Sequence, residues 1–236
     1  MAGKPVDVFE PASAPRFALV YLHGHGLCSL AEKPVAAALL EKHLFACVAP
    51  RGDISWWSDR IWPPFDPGIS AERFIVERLR PAILDRWQLG PRGVGLFGVS
   101  MGGQGALRIG FRHPDDFPVV AGISSAIDYH DHYGDDEFPS IAQLYDSKEQ
   151  CRQDTALMHI HPAHQPPHVF FCCDPDDSWW RGNDRLHEKL TALGVVHECD
   201  LDTRAGGHDW SYFTHVMPRT LAFMHAGLEI QSRRLL

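Results

Sequence analysis

The stretch from Gly93 to Arg108 constrains the fold of this chain more than any other part of its sequence. An apolar, strand-like run ends at Ser100, and a helical pattern rich in glycine and alanine begins directly after it. Residues 98–102 fit the G-x-S-x-G pattern of a nucleophile elbow, a strained strand-to-helix turn that lifts a serine hydroxyl above the edge of a sheet. A Cβ atom at either flanking glycine would collide in so tight a turn. The alternative interpretation is an ordinary glycine-rich turn.

Other apolar runs alternate with helical patterns along the chain. The predicted strands cover residues 16–22, 44–49, 93–99, 117–124, 169–173 and 195–200. The predicted helices cover residues 29–43, 70–87 and 183–193, the segment after Ser100 and the C-terminal segment. Pro81 is expected to bend or restart the second helix. This alternation predicts an α/β fold whose mostly parallel sheet is covered by helices on both faces.

Length and charge narrow the class of protein. A chain of 236 residues suits one domain with a substantial buried core, so residues 1–236 are interpreted as a single domain. The formal net charge of −8 argues against a nucleic-acid partner. The first residues contain no apolar core of the length that a secretory signal needs, and no stretch is long enough to span a membrane. We therefore expect a cytoplasmic protein without a membrane partner.

Three loops that follow predicted strands carry the residues needed for nucleophilic catalysis. Ser100, an acidic loop at residues 174–177 and His208 occur in the order nucleophile, acid, histidine. A serine hydroxyl is a poor nucleophile at neutral pH, so it needs an imidazole as base, and a carboxylate on the other ring nitrogen would orient that base. Within the acidic loop Asp177 is preferred because it lies furthest from the strand, and Asp176 is the alternative.

Backbone N–H groups are expected to stabilise the negative charge that develops on a substrate carbonyl oxygen. Met101 follows the candidate nucleophile at the head of a helix, so its N–H group is the first candidate for this oxyanion hole. The glycine-containing loop at residues 23–26 follows the first predicted strand and is expected to supply the second donor, with His25 preferred.

Tryptophans follow several strands at the same predicted edge of the sheet. Trp57, Trp179 and Trp210 are the candidate substrate-binding residues, because large aromatic rings there would line a cleft. The alternative is that they close the core beneath long loops. The polar segment at about 125–167, rich in histidine and proline, is interpreted as an insertion that forms a lid, a substrate-binding excursion or a plain surface loop.

Four motifs together resemble the esterase D branch of the α/β-hydrolases, which includes S-formylglutathione hydrolases and feruloyl-type esterases. They are L-H-G at residues 22–24, G-V-S-M-G-G at 98–103, D-P-D-D at 174–177 and G-H-D-W-S-Y at 207–212. The resemblance covers most of the chain. It implies an α/β-hydrolase fold and serine carboxylesterase activity, with Ser100 as nucleophile, His208 as base and Asp177 at the position of the family's acid.

Histidines and cysteines raise the question of a metal site. His159, His161, His164 and His168 lie close together in sequence, as do His23 and His25, but prolines interrupt the first set and carboxylates in a suitable register are missing. The six cysteines have no metal-ligand spacing and are interpreted as reduced, mostly buried thiols. No metal site and no cofactor are therefore expected.

Together these patterns predict an esterase that hydrolyses a small or medium carboxylic ester through an acyl-enzyme on Ser100. The expected partner is a small-molecule ester. Three alternatives remain open at this point: a non-catalytic hydrolase-like binding protein, an acyltransferase and a metal-dependent hydrolase.

Overall fold

Seven strands form one sheet in the computed structural model, which describes residues 1–234. The strands are β1 (Val6–Phe9), β2 (Phe17–Leu22), β3 (Phe45–Pro50), β4 (Val94–Val99), β5 (Val119–Ile123), β6 (His168–Cys172) and β7 (Glu198–Asp200). Their order across the sheet is β1-β3-β2-β4-β5-β6-β7. β1 runs antiparallel to β3, and the other neighbouring pairs are parallel. The predicted α/β class and mostly parallel sheet are confirmed.

Two strands differ from the sequence-based expectation. β1 was not predicted, because it has only four residues and is partly exposed, so its apolar pattern is weak. β7 is half as long as predicted: Val195 is buried, but Val196 is 79% exposed, and pairing with β6 begins only at Glu198. The segment between α7 and β7 is therefore irregular, and it carries His197.

Helices cover both faces of the sheet. They are α1 (Pro34–Lys42), α2 (Ala71–Arg73), α3 (Arg80–Trp87), α4 (Met101–Arg112), α5 (Pro139–Leu144), α6 (Lys148–Gln153), α7 (Trp180–Ala192) and α8 (Trp210–Ser232). Side chains of α1 and α8 pack in one core, and those of α3, α4 and α7 pack in the other. β2 shows why two cores are needed: it is buried on both sides, and alternate side chains enter opposite cores.

The predicted helix at residues 70–87 is one helical stretch with a wider central turn. A π-helical segment, Phe74–Leu79, separates α2 from α3, and the N–H group of Arg80 donates to the carbonyl of Ile75. Pro81 follows immediately and has no N–H group to donate. The break in regular α-helix that was expected at Pro81 therefore lies in the turn that precedes it.

Residues 125–167, the predicted insertion, connect β5 to β6 and contain short helices. These are α5, α6 and two 3₁₀ turns, Tyr129–His132 and Ala156–His159. The segment lies against α4, where the side-chain oxygen of Gln104 accepts the N–H group of Ala156 at 2.9 Å. The insertion is therefore packed on the helix that follows Ser100.

A buried arginine joins this insertion to the rest of the fold. Arg108 on α4 pairs with Glu72 on α2 and with Asp154 after α6, and its side chain is 1% exposed. Tyr145 donates a hydrogen bond to the second oxygen of Asp154 at 2.7 Å. Burial acts against the charge on Glu72, but the hydrogen bond from His113 and the charges of nearby arginines prevail and lower the pKa of Glu72 to about 2.

α8 packs along β4, β5 and β6 through its apolar face. It runs for 23 residues and continues past Pro218, whose ring nitrogen cannot donate to the preceding turn. Despite its length α8 is amphipathic, and among residues 1–234 no helix is long and apolar enough to cross a membrane.

Candidate active site

Ser100 lies between β4 and α4 in a backbone conformation that residues other than glycine rarely adopt. Its φ is 55° and its ψ is −120°. A conformation of this kind costs about 1–3 kcal/mol and persists only where the surrounding structure enforces it. A Cβ atom on Gly98 would strike the carbonyl of Gly102, and one on Gly102 would strike the carbonyl of Leu22. The turn therefore has the geometry of an elbow, and the two flanking glycines make it sterically accessible.

A continuous chain of hydrogen bonds joins Ser100, His208 and Asp177. Ser100 Oγ lies 2.9 Å from His208 Nε2, and His208 Nδ1 lies 2.8 Å from Asp177 Oδ2. When Nδ1–H donates to the carboxylate, Nε2 is left free to accept the serine proton. Asp177 is 5% exposed, and its other oxygen accepts the N–H group of Trp179 at 2.8 Å. The carboxylate is thus held in one orientation against the imidazole.

Asp176, the alternative acid, has a different partner. Its carboxylate pairs with Arg204, and both side chains are more than 60% exposed. Of the two aspartates, the geometry brings Asp177 to His208.

A third carboxylate, Asp174, connects the loop that carries Asp177 to the loop that carries His208. It is fully buried. Its oxygens accept four backbone N–H groups, those of Asp176 at 2.8 Å, Ala205 at 2.6 Å, Gly206 at 3.1 Å and Gly207 at 3.0 Å. Burial acts to raise the pKa of Asp174, but these hydrogen bonds prevail and hold its pKa below the usual range. The charged carboxylate therefore fixes the backbone immediately before His208.

The candidate oxyanion loop is held in place by His23. Its Nδ1 atom lies 2.9 Å from the carbonyl oxygen of Gly24, and its Nε2 atom accepts the N–H group of Gly52 at 3.0 Å. Burial lowers the pKa of His23, which agrees with a neutral ring that donates from Nδ1 and accepts at Nε2. Trp57 also donates to the carbonyl oxygen of His23, at 3.0 Å. The loop is therefore braced on both sides.

Met101 and His25 both lie near Ser100. Met101 is the first residue of α4, where an N–H group has no partner within the helix. Gly24 approaches so closely that a Cβ atom on it would lie 3.2 Å from Ser100 Cβ. His25 follows Gly24 and lines the same cleft as Ser100. The backbone of the loop at residues 23–26 thus runs beside the serine.

Ser100 and His208 open onto a cleft of about 580 Å³, a size typical of small-molecule sites. Its aromatic lining comprises Phe138, Trp179, Trp210 and Phe213, together with the imidazoles of His25 and His132. Phe138 meets His25 and His132 edge-on, each at 5.1 Å between ring centroids. The cleft therefore offers a ring-walled surface next to the serine.

The sequence of residues 70–224 matches a family model described as "Putative esterase". The match spans more than half of the chain. The chain belongs to this esterase family. The resemblance to α/β-hydrolase esterases is therefore confirmed. No curated protein sequence matches the chain.

Several solved structures share the fold of this esterase. FphF, a fluorophosphonate-binding serine hydrolase of Staphylococcus aureus, has a TM-score of 0.78 at 18% identity over 93% of this chain and 91% of that chain. An S-formylglutathione hydrolase from Agrobacterium tumefaciens has a TM-score of 0.79 at 16% identity over 94% and 89%. A ferulic acid esterase has a TM-score of 0.74 at 23% identity over 94% and 92%. These likenesses confirm the predicted α/β-hydrolase fold.

Trp57 does not line the cleft of the esterase, contrary to the expectation from sequence. It is fully buried, whereas Trp179 and Trp210 do line the cleft. The indole of Trp57 fills the space left by Gly105 on α4, where a Cβ atom would lie 2.5 Å from Trp57 Cβ. A tryptophan that fills a gap beneath a helix belongs to the core, so the alternative interpretation of this residue is the correct one.

The histidines considered for a metal site have separate partners. His164 contacts Asp115 at 3.2 Å and His168 contacts Gln231 at 2.9 Å. Neither these histidines nor His23 and His25 form a group of three potential ligands within residues 1–234. The alternative of metal-dependent hydrolysis through them has no geometric support.

Sequence reasoning missed two residues of the site and the role of a third. His132 and Phe138 reach the cleft from the insertion, and Asp174 joins the loops that carry Asp177 and His208. The one sequence feature that could have indicated a cleft residue at Phe138 is its position as an isolated phenylalanine between acidic residues and a proline. The sequence placed Asp174 in the acidic loop but did not reveal its role, because three of its backbone partners lie about thirty residues further along the chain.

Proposed function

We propose that this esterase hydrolyses a small or medium carboxylic ester through an acyl-enzyme on Ser100. The observation that carries the proposal is the hydrogen-bonded chain from Ser100 through His208 to Asp177, set on a strained turn beside a cleft. An oriented imidazole within hydrogen-bond reach is what makes a serine hydroxyl nucleophilic.

In the first half of the reaction Ser100 Oγ attacks the ester carbonyl carbon while its proton passes to His208 Nε2. Asp177 stabilises the imidazolium through the bond to Nδ1. The tetrahedral intermediate then collapses, the carbon–oxygen bond to the alcohol breaks, and His208 returns the proton to the leaving alkoxide oxygen. The acyl group is left on Ser100.

In the second half a water molecule takes the place of the alcohol. His208 removes a proton from the water, and the resulting hydroxide attacks the acyl carbonyl carbon. Collapse of this second intermediate breaks the bond to Ser100 Oγ, which regains its proton from His208. The carboxylic acid leaves, and the enzyme returns to its initial state.

The negative charge on the carbonyl oxygen would be met by the N–H groups of Met101 and His25. The free N–H group at the start of α4 and the closeness of the braced loop to Ser100 support this role. Removing one donor of this kind typically costs about 3 kcal/mol of barrier. Because both donors belong to the backbone, their positions depend on the elbow and on His23 rather than on their own side chains.

Trp179 and Trp210 are the proposed substrate contacts. Both line the cleft, and the aromatic walls suit an apolar acyl or alcohol group. The volume of about 580 Å³ supports a substrate of small or medium size.

Ester turnover and active-site labelling test the proposal. Wild-type protein is expected to hydrolyse p-nitrophenyl esters and to react with a fluorophosphonate probe, and Ser100→Ala is expected to lose both while keeping its circular dichroism spectrum. A panel of acyl-chain lengths and aromatic esters then identifies the preferred group.

Two outcomes would overturn the proposal. Substantial ester turnover by Ser100→Ala would remove Ser100 as the nucleophile. A folded wild-type protein that resists the probe would indicate a binding protein, or a metal-dependent hydrolase if its turnover were also sensitive to chelators. Formation of a new ester from an added alcohol would identify acyl transfer through the same acyl-enzyme.

A further inference from the structure

Two histidines and a cysteine converge away from the catalytic cleft. His187 lies on α7, His197 lies in the segment before β7, and Cys199 lies on β7. His187 Nδ1 is 2.9 Å from His197 Nε2 and 3.4 Å from Cys199 Sγ, and the three atoms lie within 4.8 Å of one another. None of the three lines the cleft. His187 lies ten residues before His197 and twelve before Cys199, so the group forms only when α7 and β7 come together.

The ring of His197 is already oriented as a ligand would be. Its Nδ1 atom lies 2.8 Å from the carbonyl oxygen of Val195, so Nδ1–H donates there and the lone pair of Nε2 faces His187 and Cys199. The same ring stacks on Phe171 with 5.7 Å between centroids and 11° between planes. A histidine ligand whose other nitrogen donates to a backbone carbonyl is the usual arrangement in metal sites.

We propose that His187, His197 and Cys199 form a binding site for one Zn²⁺ ion. Tetrahedral zinc with bonds of about 2.0–2.1 Å to nitrogen and 2.3 Å to sulfur needs its ligand atoms roughly 3.3 Å apart for two nitrogens and roughly 3.6 Å apart for nitrogen and sulfur. The observed 2.9 Å and 3.4 Å are within a few tenths of an ångström of these separations. The third separation, between His197 Nε2 and Cys199 Sγ, is below 4.8 Å, so binding of the ion would need the three side chains to adjust around it.

The donor set decides which kind of ion fits. Imidazole and thiolate ligands select zinc and related transition metals over Mg²⁺ and Ca²⁺, which prefer oxygen. All three residues are partly exposed, so the fourth position is open to water. On binding, the thiol proton of Cys199 leaves to solvent and the sulfur binds as thiolate. His187 gives up the Nδ1 proton that it shares with His197 and carries its proton on Nε2 instead, so both imidazoles bind in their neutral forms.

The site would join two elements that flank the catalytic loops. β7 is a three-residue edge strand that pairs only with β6 among the described residues. The loop after β7 carries His208, and the loop before α7 carries Asp177. Zinc held between α7 and β7 would therefore stabilise the folded state, because a ligand that binds only the native chain raises its stability.

Cobalt titration of the full-length, reduced and chelator-treated protein tests this proposal. Co²⁺ is a spectroscopic substitute for Zn²⁺, and a thiolate ligand gives it an intense near-ultraviolet charge-transfer band. We expect this band to saturate at one equivalent of Co²⁺ per chain and to disappear when Zn²⁺ is added. Zn²⁺ should also raise the Tm, whereas the same concentration of Mg²⁺ should not.

Matched variants assign the ligands. His187→Gln and Cys199→Ser should each abolish the charge-transfer band and the zinc-dependent rise in Tm. Two control variants should keep the charge-transfer band and the zinc-dependent rise in Tm. His164→Gln changes an exposed histidine, and Cys28→Ser changes a partly exposed thiol outside the cluster. The zinc-free Tm and circular dichroism of each variant report whether it folds.

The wild-type result alone is enough to overturn the proposal. If the folded wild-type protein gives no charge-transfer band and no zinc-dependent rise in Tm, the cluster is a hydrogen-bonded group only. A band that persists in both His187→Gln and Cys199→Ser would place the metal elsewhere. Neither readout depends on esterase activity, so the test is separate from that of the proposed function.

Discussion

The buried carboxylate of Asp174 accepts the backbone N–H group of Gly207 at 3.0 Å, and Gly207 directly precedes His208. Asp174 also lies at the start of the loop that carries Asp177. One side chain therefore connects the two loops that carry Asp177 and His208, the proposed acid and base.

Removing the carboxylate of Asp174 should lower kcat more than it changes KM. Asp174→Ala leaves four backbone N–H groups without their carboxylate acceptor, so the loop before His208 should shift. A displacement of about 1 Å can cost up to about 100-fold in rate. Asp174→Asn keeps one amide oxygen as acceptor and should lose less. Steady-state kinetics on p-nitrophenyl esters measure both, with Asp176→Asn, a change in an exposed side chain, as the control that stays near wild type.

Asp177→Asn should retain the fold and lose most activity. An amide can no longer hold the Nδ1–H tautomer of His208 as a carboxylate does, and the loss in kcat should reach about 10⁴-fold. Stopped-flow or long-time-course ester assays measure it. Asp176→Asn is again the matched control, and an equal loss in that variant would contradict the assignment of Asp177 as the acid.

Acidification should destabilise the protein through His23. Burial places the folded-state pKa of this imidazole below its ordinary value of 6.5, so the unfolded chain takes up the proton more readily. The contribution to stability is complete above pH 6.5 and is lost as the pH falls below that value and through the folded-state pKa. Each proton taken up on unfolding contributes about 1.4 kcal/mol per pH unit within this window.

Urea unfolding at pH 8, 6.5 and 5 measures this dependence. Other half-buried histidines with lowered pKa, including His43 and His168, add to the wild-type slope. The contribution of His23 is the difference between wild type and His23→Gln, whose slope should be shallower. Identical slopes in the two proteins would contradict the neutral, buried state of this ring.

Arg108→Met should be strongly destabilising. The substitution removes the cation shared by the buried Glu72 and the partly buried Asp154, and although Arg112 and His113 still contact Glu72, breaking a buried ion pair costs about 3–5 kcal/mol. Chemical denaturation measures the loss. Arg152→Met breaks only an exposed pair with Glu149 and should cost less than about 1 kcal/mol. Equal losses in the two variants would show that the insertion does not depend on Arg108.

Substitutions of Trp57 and Trp210 should have different effects, one on protein stability and the other on substrate binding. Trp57→Ala should cost about 3–5 kcal/mol of stability, since it opens a cavity beneath α4. Trp210→Ala removes a partly exposed wall of the cleft and should raise KM by about tenfold with a smaller change in kcat. Denaturation curves and steady-state kinetics on both variants give the comparison. If Trp57→Ala raised KM without loss of stability, Trp57 would be a substrate-binding residue rather than a core residue.

Much of the fold followed from local patterns. β2, β4 and β5 are buried apolar runs between turn signals, and such runs are recognisable without knowledge of their partners. The elbow was predictable because its G-x-S-x-G pattern is local, although the atom that excludes a Cβ at Gly102 is the carbonyl oxygen of Leu22, which is distant in the chain. β1 escaped prediction, since a short and partly exposed strand depends on pairing with β3 rather than on its own pattern.

The sequence by itself determined the α/β class, the esterase family and the residue types on the loops after β4, β6 and β7, because these depend on short stretches of chain. Only the tertiary structure decided which aspartate meets His208, that Trp57 is core, that Asp174 ties two loops together, and that His187, His197 and Cys199 converge. Each of these relationships joins residues that lie on different helices, strands or loops, and their separation in space is set by how those elements pack together.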